Sequence, residues 1–307
     1  MWRAVEGSST TEQRGPSAVT IGSFDGVHRG HQAVLAATRA ASGGLPVVAV
    51  TFDPHPMAVL APEREPRRLT TIERRVALLH EHGADEVRVL AFDREMAAWS
   101  PEEFVERTLV DALSASTVAV GENFRFGSRA SGTCDVLRRL GAEHDFTVTA
   151  LSLAGDETPF SSSLVRSYVA DGELAAAAQV LGRPHEVSGI VSRGDQRGRE
   201  LGFPTANVPV DESYAVPPDG VYAGRVVTGS ESLPAAISVG TNPTFEGVVG
   251  RRVESYVIDH GHDLALYDQH VRVELVKRLR GMVAFGSVEL LVAQMHRDVR
   301  DARTVLG

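Results

Sequence analysis

The chain has 307 residues, about twice an ordinary ~150-residue domain, so two globular units are expected, each long enough to bury a core. Hydrophobic residues at 43% and charged residues at 23% lie in the range of folded proteins and exclude extended disorder. A formal charge of -9 disfavours a polyphosphate partner, so no nucleic acid is expected and any phosphate must be gripped locally.

Met1 to Ser17 carries no apolar signal-peptide core, and apolar stretches such as Leu45 to Phe52 are far too short to span a bilayer. A cytoplasmic protein without a membrane partner is the expectation. From Ala18 to about Leu181, β-branched runs alternate with helical stretches. Strands are expected at Ala18 to Ile21, Val47 to Phe52, Glu86 to Ala91, Thr117 to Val120 and Thr147 to Leu151, with a first helix around Gln32 to Arg39. Thr70 with Glu73, and Ser100 with Glu103 after Pro101, read as capping boxes that open two further helices. Strands separated by helices imply an α/β unit with a parallel, doubly wound sheet. The single cysteine, Cys134, reads as an ordinary helix thiol, since it has no partner for a disulfide or a thiolate cluster.

After Gly182-Arg183-Pro184 the rhythm changes. Val187 to Ser192, Gly220 to Val227, Ala235 to Val239, Val253 to Ile258 and Val271 to Val276 read as strands with Gly and Pro turns between them. These predict a small antiparallel barrel or sandwich, closed by one helix that Ser287 caps. Val288, Leu291, Val292, Met295 and Val299 recur at helical spacing and are expected to pack onto the barrel. The boundary is placed near Arg183, giving units 1–183 and 184–307.

The first expected strand ends in Gly22-Ser23-Phe24-Asp25-Gly26-Val27-His28-Arg29-Gly30-His31, directly before the first helix. Backbone amides and the positive dipole end attract an anion there, and Gly30 leaves room for a phosphate to approach. His28 and His31, three residues apart, could both donate to phosphoryl oxygens. A tight turn, a metal pair joined by His55, or plain surface histidines are the competing readings. The strand-to-helix context favours phosphate. Further on, Ser161-Ser162-Ser163 followed by Arg166 reads either as a helix cap or as a second anion site, with Arg166 offering a fork matched to phosphate oxygens. In the second half, Gly194 to Asn207 is rich in glycine and small polar groups but lacks the ending of a Walker loop. Thr205 and Asn207 supply hard oxygens suited to Mg²⁺, while on generic grounds a surface loop followed by a Pro-initiated turn is the favoured reading of this segment.

The His-x-Gly-His at 28–31 resembles the signature of the nucleotidyltransferase superfamily. Together with Thr51-Phe52-Asp53-Pro54-His55-Pro56, Gly121-Glu122-Asn123-Phe124-Arg125-Phe126-Gly127 and Ser161 to Arg166, it is similar to bacterial bifunctional riboflavin kinase/FMN adenylyltransferases. Gly198-Arg199-Glu200-Leu201-Gly202-Phe203-Pro204-Thr205-Ala206-Asn207, Gly220 to Gly224, Gly240 to Phe245 and Val253 to Tyr256 resemble the riboflavin kinase module of that family. The resemblance implies a Rossmann-like nucleotidyltransferase unit followed by a kinase barrel. ATP phosphates would then be held by His28 and His31 with Gly22, Phe24, Asp25 and Gly30. Asn123 would shape the nucleotide and flavin site, and Ser162, Ser163 and Arg166 would grip ATP. In the barrel it implies Mg²⁺-ATP binding by Gly198, Gly202, Pro204, Thr205 and Asn207, and a general base at Glu254. Riboflavin, FMN and ATP are the implied small-molecule partners and FAD the product. One departure stands at Tyr267-Asp268, where the family commonly has tyrosine followed by glycine, preceded by an unusual His260-Gly261-His262. A decayed kinase site, a flavin carrier without catalysis, and transfer to a different acceptor are the rival functions.

Overall fold

The structure is a computed structural model that describes residues 1–10, 15–152, 160–192, 201–243, 249–260 and 266–307, by backbone alone at 241–243 and 249–250. The chain divides into two compact units, Met1–Pro66 with Thr71–Ser161, and Arg67–Thr70 with Ser162–Gly307.

In the first unit, β1 (Ser17–Ile21), β2 (Val47–Asp53), β3 (Glu86–Ala91), β4 (Ala115–Gly121) and β5 (Thr147–Leu151) form one sheet in the order β3-β2-β1-β4-β5. Every pairing is parallel, as the strand and helix alternation predicts. The β-branched strands bury side chains on both faces. Ala49, Val87 and Val89 pack with Leu35 of α1 (Arg29–Ala41) and Val76, Leu78 and Leu79 of α3 (Ile72–Glu81). Val48, Val50 and Leu90 face the other way, toward Leu109, Leu113, Leu137 and Leu140. Those leucines come from the stretch around α4 (Pro101–Phe104), its π-helical continuation Val105–Asp111, and α5 (Cys134–Glu143). A short α2 (Pro56–Leu60) follows β2. Cys134 is buried in the first turn of α5, where its thiol lies 3.4 Å from the Glu122 carbonyl. The chain's first residues add to the outer edge of β3: Arg3 N–H donates to the Val89 carbonyl at 2.8 Å and Ala91 N–H to that of Met1 at 2.9 Å. An otherwise open strand edge is thereby paired.

The Ser100 capping box forms as read, with Ser100 Oγ accepting from Glu103 N–H and Glu103 returning to Ser100 N–H. The Thr70 box does not. The cap of α3 lies one residue on, where Thr71 Oγ1 accepts from Arg74 N–H at 3.2 Å.

The second unit opens with α6 (Ser162–Asp171) and α7 (Leu174–Leu181). Six antiparallel strands follow: β6 (His185–Ile190), β7 (Ala206–Val210), β8 (Gly220–Thr228), β9 (Glu231–Pro243), β10 (Val249–Val257) and β11 (His270–Arg280). Their order is β6-β11-β8-β9-β10-β7, and Ser192 N–H donating to the Asn207 carbonyl at 2.8 Å brings the last strand back to the first. The sheet therefore nearly closes into a barrel around Val187, Val208, Tyr222, Ile237, Val253 and Val273. Strand β7 was not foreseen. Its Ala206, Val208 and Val210 alternate inward, but the strand begins inside the segment Gly194 to Asn207 read for nucleotide and Mg²⁺ binding.

By contacts the second unit opens at Ser162, ahead of the boundary placed near Arg183. Leu174 of α7 is buried in the barrel's own core, so the helices before Arg183 belong to the second unit. Arg67–Thr70 joins it as well, through Arg68 N–H to the Ser213 carbonyl (2.7 Å) and Ala215 N–H to that of Arg68 (2.9 Å).

The last helix, α8 (Val288–Leu306), is capped by Ser287 as expected, with Ser287 Oγ accepting from Leu290 N–H. Its first turn does not pack down: Val288 is 55% exposed, and burial sets in only at Asp298 and Ala302. Asp268 takes φ 64°, the left-handed conformation that glycine adopts freely and aspartate tolerates.

Candidate functional site

Two sets of polar residues stand at structurally privileged places, one in each unit. In the first unit the order β3-β2-β1-β4-β5 reverses direction between β1 and β4, and a crevice forms at the carboxyl ends of the two strands flanking such a switch. The loop after β1 carries Gly22 to His28. The loop after β4 carries Asn123, exposed in a turn closed by Phe124 N–H to the Gly121 carbonyl at 2.9 Å.

The first loop is tightly held. Phe24 and Val27 both take positive φ, 48° and 40°, and both are buried. For β-branched Val27 that conformation costs on the order of 1–3 kcal/mol, which the packing around it must offset. His28 occupies the N-cap of α1 without a side-chain cap bond; its ring stacks on His31 with centroids 3.6 Å apart. Phe24 meets His31 edge-on at 5.1 Å. A Cβ on Gly30 would lie 3.0 Å from His28 Cε1, so glycine here makes room for the histidine ring. That is a reason beyond the phosphate approach expected from sequence.

Asp25 is buried and faces Arg75 of α3, whose Nη2 lies 3.5 Å from Asp25 Oδ1. Arg75 Nη1 donates to the Phe52 carbonyl at 3.1 Å, while Thr51 Oγ1 donates to the Ser23 carbonyl at 3.0 Å. Together these bonds fix the loop between β2 and α3. Burial, then the positive potential of His28 and Arg75, hold the His31 imidazole well below its usual pKa. His31 is therefore neutral near pH 7, and among the described residues its buried Nδ1 has no hydrogen-bond partner. Two stacked imidazoles at a helix N-terminus, His28 buried and His31 partly so, form a donor pair suited to phosphoryl oxygens.

His55 Nδ1 accepts from Met57 N–H at 3.1 Å and caps α2, and no group of three or more His, Cys, Asp or Glu is placed for a metal among the described residues. Ser162 and Ser163 are the first residues of α6 in the second unit, and Arg166 Nε donates to the Arg67 carbonyl at 2.6 Å.

In the barrel, antiparallel register pairs Glu254 of β10 with Asn207 of β7 on one side and with Ser238 of β9 on the other. Directly paired residues share a face. Because Val208, Ile237 and Val253 point into the core, these three polar residues lie on the barrel's outer face. There a cavity of about 300 Å³ opens beneath α8, lined by Thr205, Ser238 and Glu254 on its polar side and by Phe203, Leu291 and Met295 among its apolar residues. Leu291, Met295 and Val299 of the α8 stripe thus line an open cavity, while Val288 stays exposed outside its lining.

Asn207 Nδ2 donates to the Thr205 carbonyl and hydroxyl at 3.2 and 3.4 Å, and its Oδ1 is buried with no hydrogen-bond partner among the described residues. An unsatisfied buried amide oxygen beside a hydroxyl fits a hard cation such as Mg²⁺. Pro204 lies between buried Phe203 and Thr205, and Gly202 turns the chain at φ 84°. Gly198 and the residues around it, 193–200, lie outside the described residues, as does His262.

The FAD synthetase family model matches residues 10–164 and the riboflavin kinase model residues 181–306. A curated relative from Escherichia coli strain K12, a bifunctional riboflavin kinase/FMN adenylyltransferase, is 38% identical over 99% of this chain and 97% of its own. The chain belongs to the bifunctional riboflavin kinase/FMN adenylyltransferase family. Members from Pseudomonas fluorescens and Bacillus subtilis are 38% and 31% identical over 96% and 95% of the chain. A crystal structure from Streptococcus pneumoniae, described as a macrolide-efflux protein, superposes with a TM-score of 0.83 at 30% identity and covers 95% of both chains. No described helix here is long and apolar enough to cross a membrane. Within this family frame, sequence reasoning missed Arg75, Ser238, Arg280 and Asp298. Arg75 sits on an amphipathic helix where arginine reads as surface. Ser238 is signalled only by its position between inward-facing Ile237 and Val239.

Proposed function

We propose that the chain makes FAD from riboflavin in two ATP-dependent steps, one in each unit. In the barrel, the riboflavin 5′-hydroxyl attacks the γ-phosphorus of ATP while Glu254 accepts its proton, giving FMN and ADP. A positioned carboxylate of this kind contributes about 100-fold to 10000-fold. Thr205 and Asn207 would hold Mg²⁺, which neutralises phosphate charge when bound. Gly198, Gly202 and Pro204 belong to the segment assigned to the nucleotide.

In the first unit, the FMN phosphate attacks the α-phosphorus of a second ATP, giving FAD and pyrophosphate. The nucleophile is already an anion, so positioning and charge stabilisation suffice. His28 and His31 serve as donors to the phosphates, supported by Gly22, Phe24, Asp25 and Gly30, with Asn123 on the neighbouring strand's loop. Ser162, Ser163 and Arg166 are assigned to ATP phosphates by family likeness and by the anion preference of a helix start. Use of ATP in both steps accords with the cytoplasmic location expected from sequence.

The observation that carries the kinase assignment is the register that sets Glu254, which lines the cavity with Thr205, beside Asn207. The test is a time course of the purified protein with riboflavin, ATP and Mg²⁺, resolved by chromatography. FMN rising before FAD is the expected result, and failure to convert either riboflavin or supplied FMN overturns the reading.

A further inference from the structure

Arg280 ends β11, and Asp298 stands near the middle of α8. Arg280 Nε and Nη2 donate to Asp298 Oδ1 and Oδ2 at 2.8 and 2.6 Å, a two-pronged pair, and Gln294 Nε2 donates to Oδ1 at 2.9 Å. Asp298 is only 4% exposed. The remaining Nη1 of Arg280 donates to the Gly281 carbonyl at 3.0 Å, and its guanidinium carbon lies 5.8 Å from the Phe285 ring centroid. One arginine thus joins three pieces: the end of β11, the segment 281–286, and α8.

Those pieces share the cavity that Glu254 and Thr205 line. Arg280 and Asp298 are part of its lining, beside Met282 and Val283 from the segment and Met295 from the helix. Met282 and Val283 are 56% and 58% exposed, so this wall is apolar and still faces solvent. A buried ion pair is a poor route to stability, since well-packed apolar residues of similar volume are often as good or better. What a forked pair provides is a fixed distance and angle between the elements it joins. Both Asp298 oxygens are already engaged, so the carboxylate acts through Arg280 and not on a ligand.

We propose that the Arg280–Asp298 pair, braced by Gln294, is the positioning device that holds α8 and the segment 281–286 as the apolar wall of the kinase cavity, and that it sets affinity for the flat ring system of the acceptor. This rests on the riboflavin kinase reading of the barrel. An apolar wall contacts the ring in the ground state and the transition state alike, so loosening it raises KM and leaves kcat in place.

The test uses the full-length chain with Arg280→Lys, which keeps the charge but loses the fork, and Asp298→Asn, which keeps the shape but loses the charge. FMN formation is measured against riboflavin concentration, adenylylation of supplied FMN is measured in the same preparations, and thermal unfolding is followed for each. The expected result is a riboflavin KM raised about 10-fold in both variants, the scale of a lost apolar contact, with kcat within about 2-fold of wild type. Adenylylation stays at the wild-type rate. Should Asp298→Asn unfold the barrel, Arg280→Lys decides alone. An unchanged KM, or a fall in kcat at constant KM, overturns the proposal. Wild-type protein that forms no FMN overturns the kinase reading instead.

Discussion

Wedged between Phe24 and the ring of His28, the His31 imidazole resists taking up a proton, chiefly because it is buried and then because His28 and Arg75 add positive potential. In the unfolded chain the same group binds a proton near pH 6.5. Below that pH the unfolded state therefore holds more protons than the folded one, and stability falls as pH falls, by at most about 1.4 kcal/mol per pH unit from this group. His31→Gln should flatten the decline between about pH 6.5 and 5. Urea unfolding of both proteins at the two pH values reads this out, and identical slopes would show that His31 is protonated in the folded chain. Gly30 offers a second test at this scale. Alanine is favoured over glycine inside a helix by about 1 kcal/mol, so Gly30→Ala should not weaken α1 through backbone propensity. Its Cβ would nevertheless press on His28 Cε1 at 3.0 Å and displace the ring. FAD formation from supplied FMN should fall on the order of 100-fold, as for the loss of one phosphate donor, while FMN formation from riboflavin stays at the wild-type rate.

The elements follow their local signals closely where those signals are physical and fail where they are ambiguous. Each of the five parallel strands lies within two residues of its expected ends, because β-branched runs mark them all, from the fully buried β1 to the edge strand β5, whose Thr147 and Thr149 are exposed. Helix α4 starts at the expected box, and Ser100→Ala should cost about 1 kcal/mol in chemical denaturation, with no change in either enzymatic rate. Only one of two adjacent threonines can cap α3, and choosing between Thr70 and Thr71 depends on where the chain enters the helix. Strand β7 escaped because its inward Ala206, Val208 and Val210 are few and interrupted by polar Asn207 and by Pro209. The apolar stripe of α8 was legible, but not its purpose. A helix face that packs on a core and one that walls an open cavity have the same 3.6-residue period.

On the scale of the molecule, two chemistries lie on one chain, and each can be removed separately. Glu254→Gln should lower the rate of FMN formation by about 100-fold to 10000-fold and leave adenylylation of supplied FMN unchanged, in separate assays of the two steps. Equal loss of both activities would mean that Glu254 acts on the whole fold and not as a base. Sequence by itself determined the local chemistry of this protein: the glycine and histidine loop before a helix, the strand periodicities, the hydroxyl and amide pair at Thr205 and Asn207, and a family likeness borne by both halves. Only tertiary structure decided that Asp25 meets Arg75 across 50 residues, that Glu254 stands beside Asn207, and that Arg280 reaches Asp298. It also decided that α6 and α7 pack with the barrel. The physical reason is that periodicity tells which residues share a face, whereas strand order, register and the cover over that face are fixed by long-range packing.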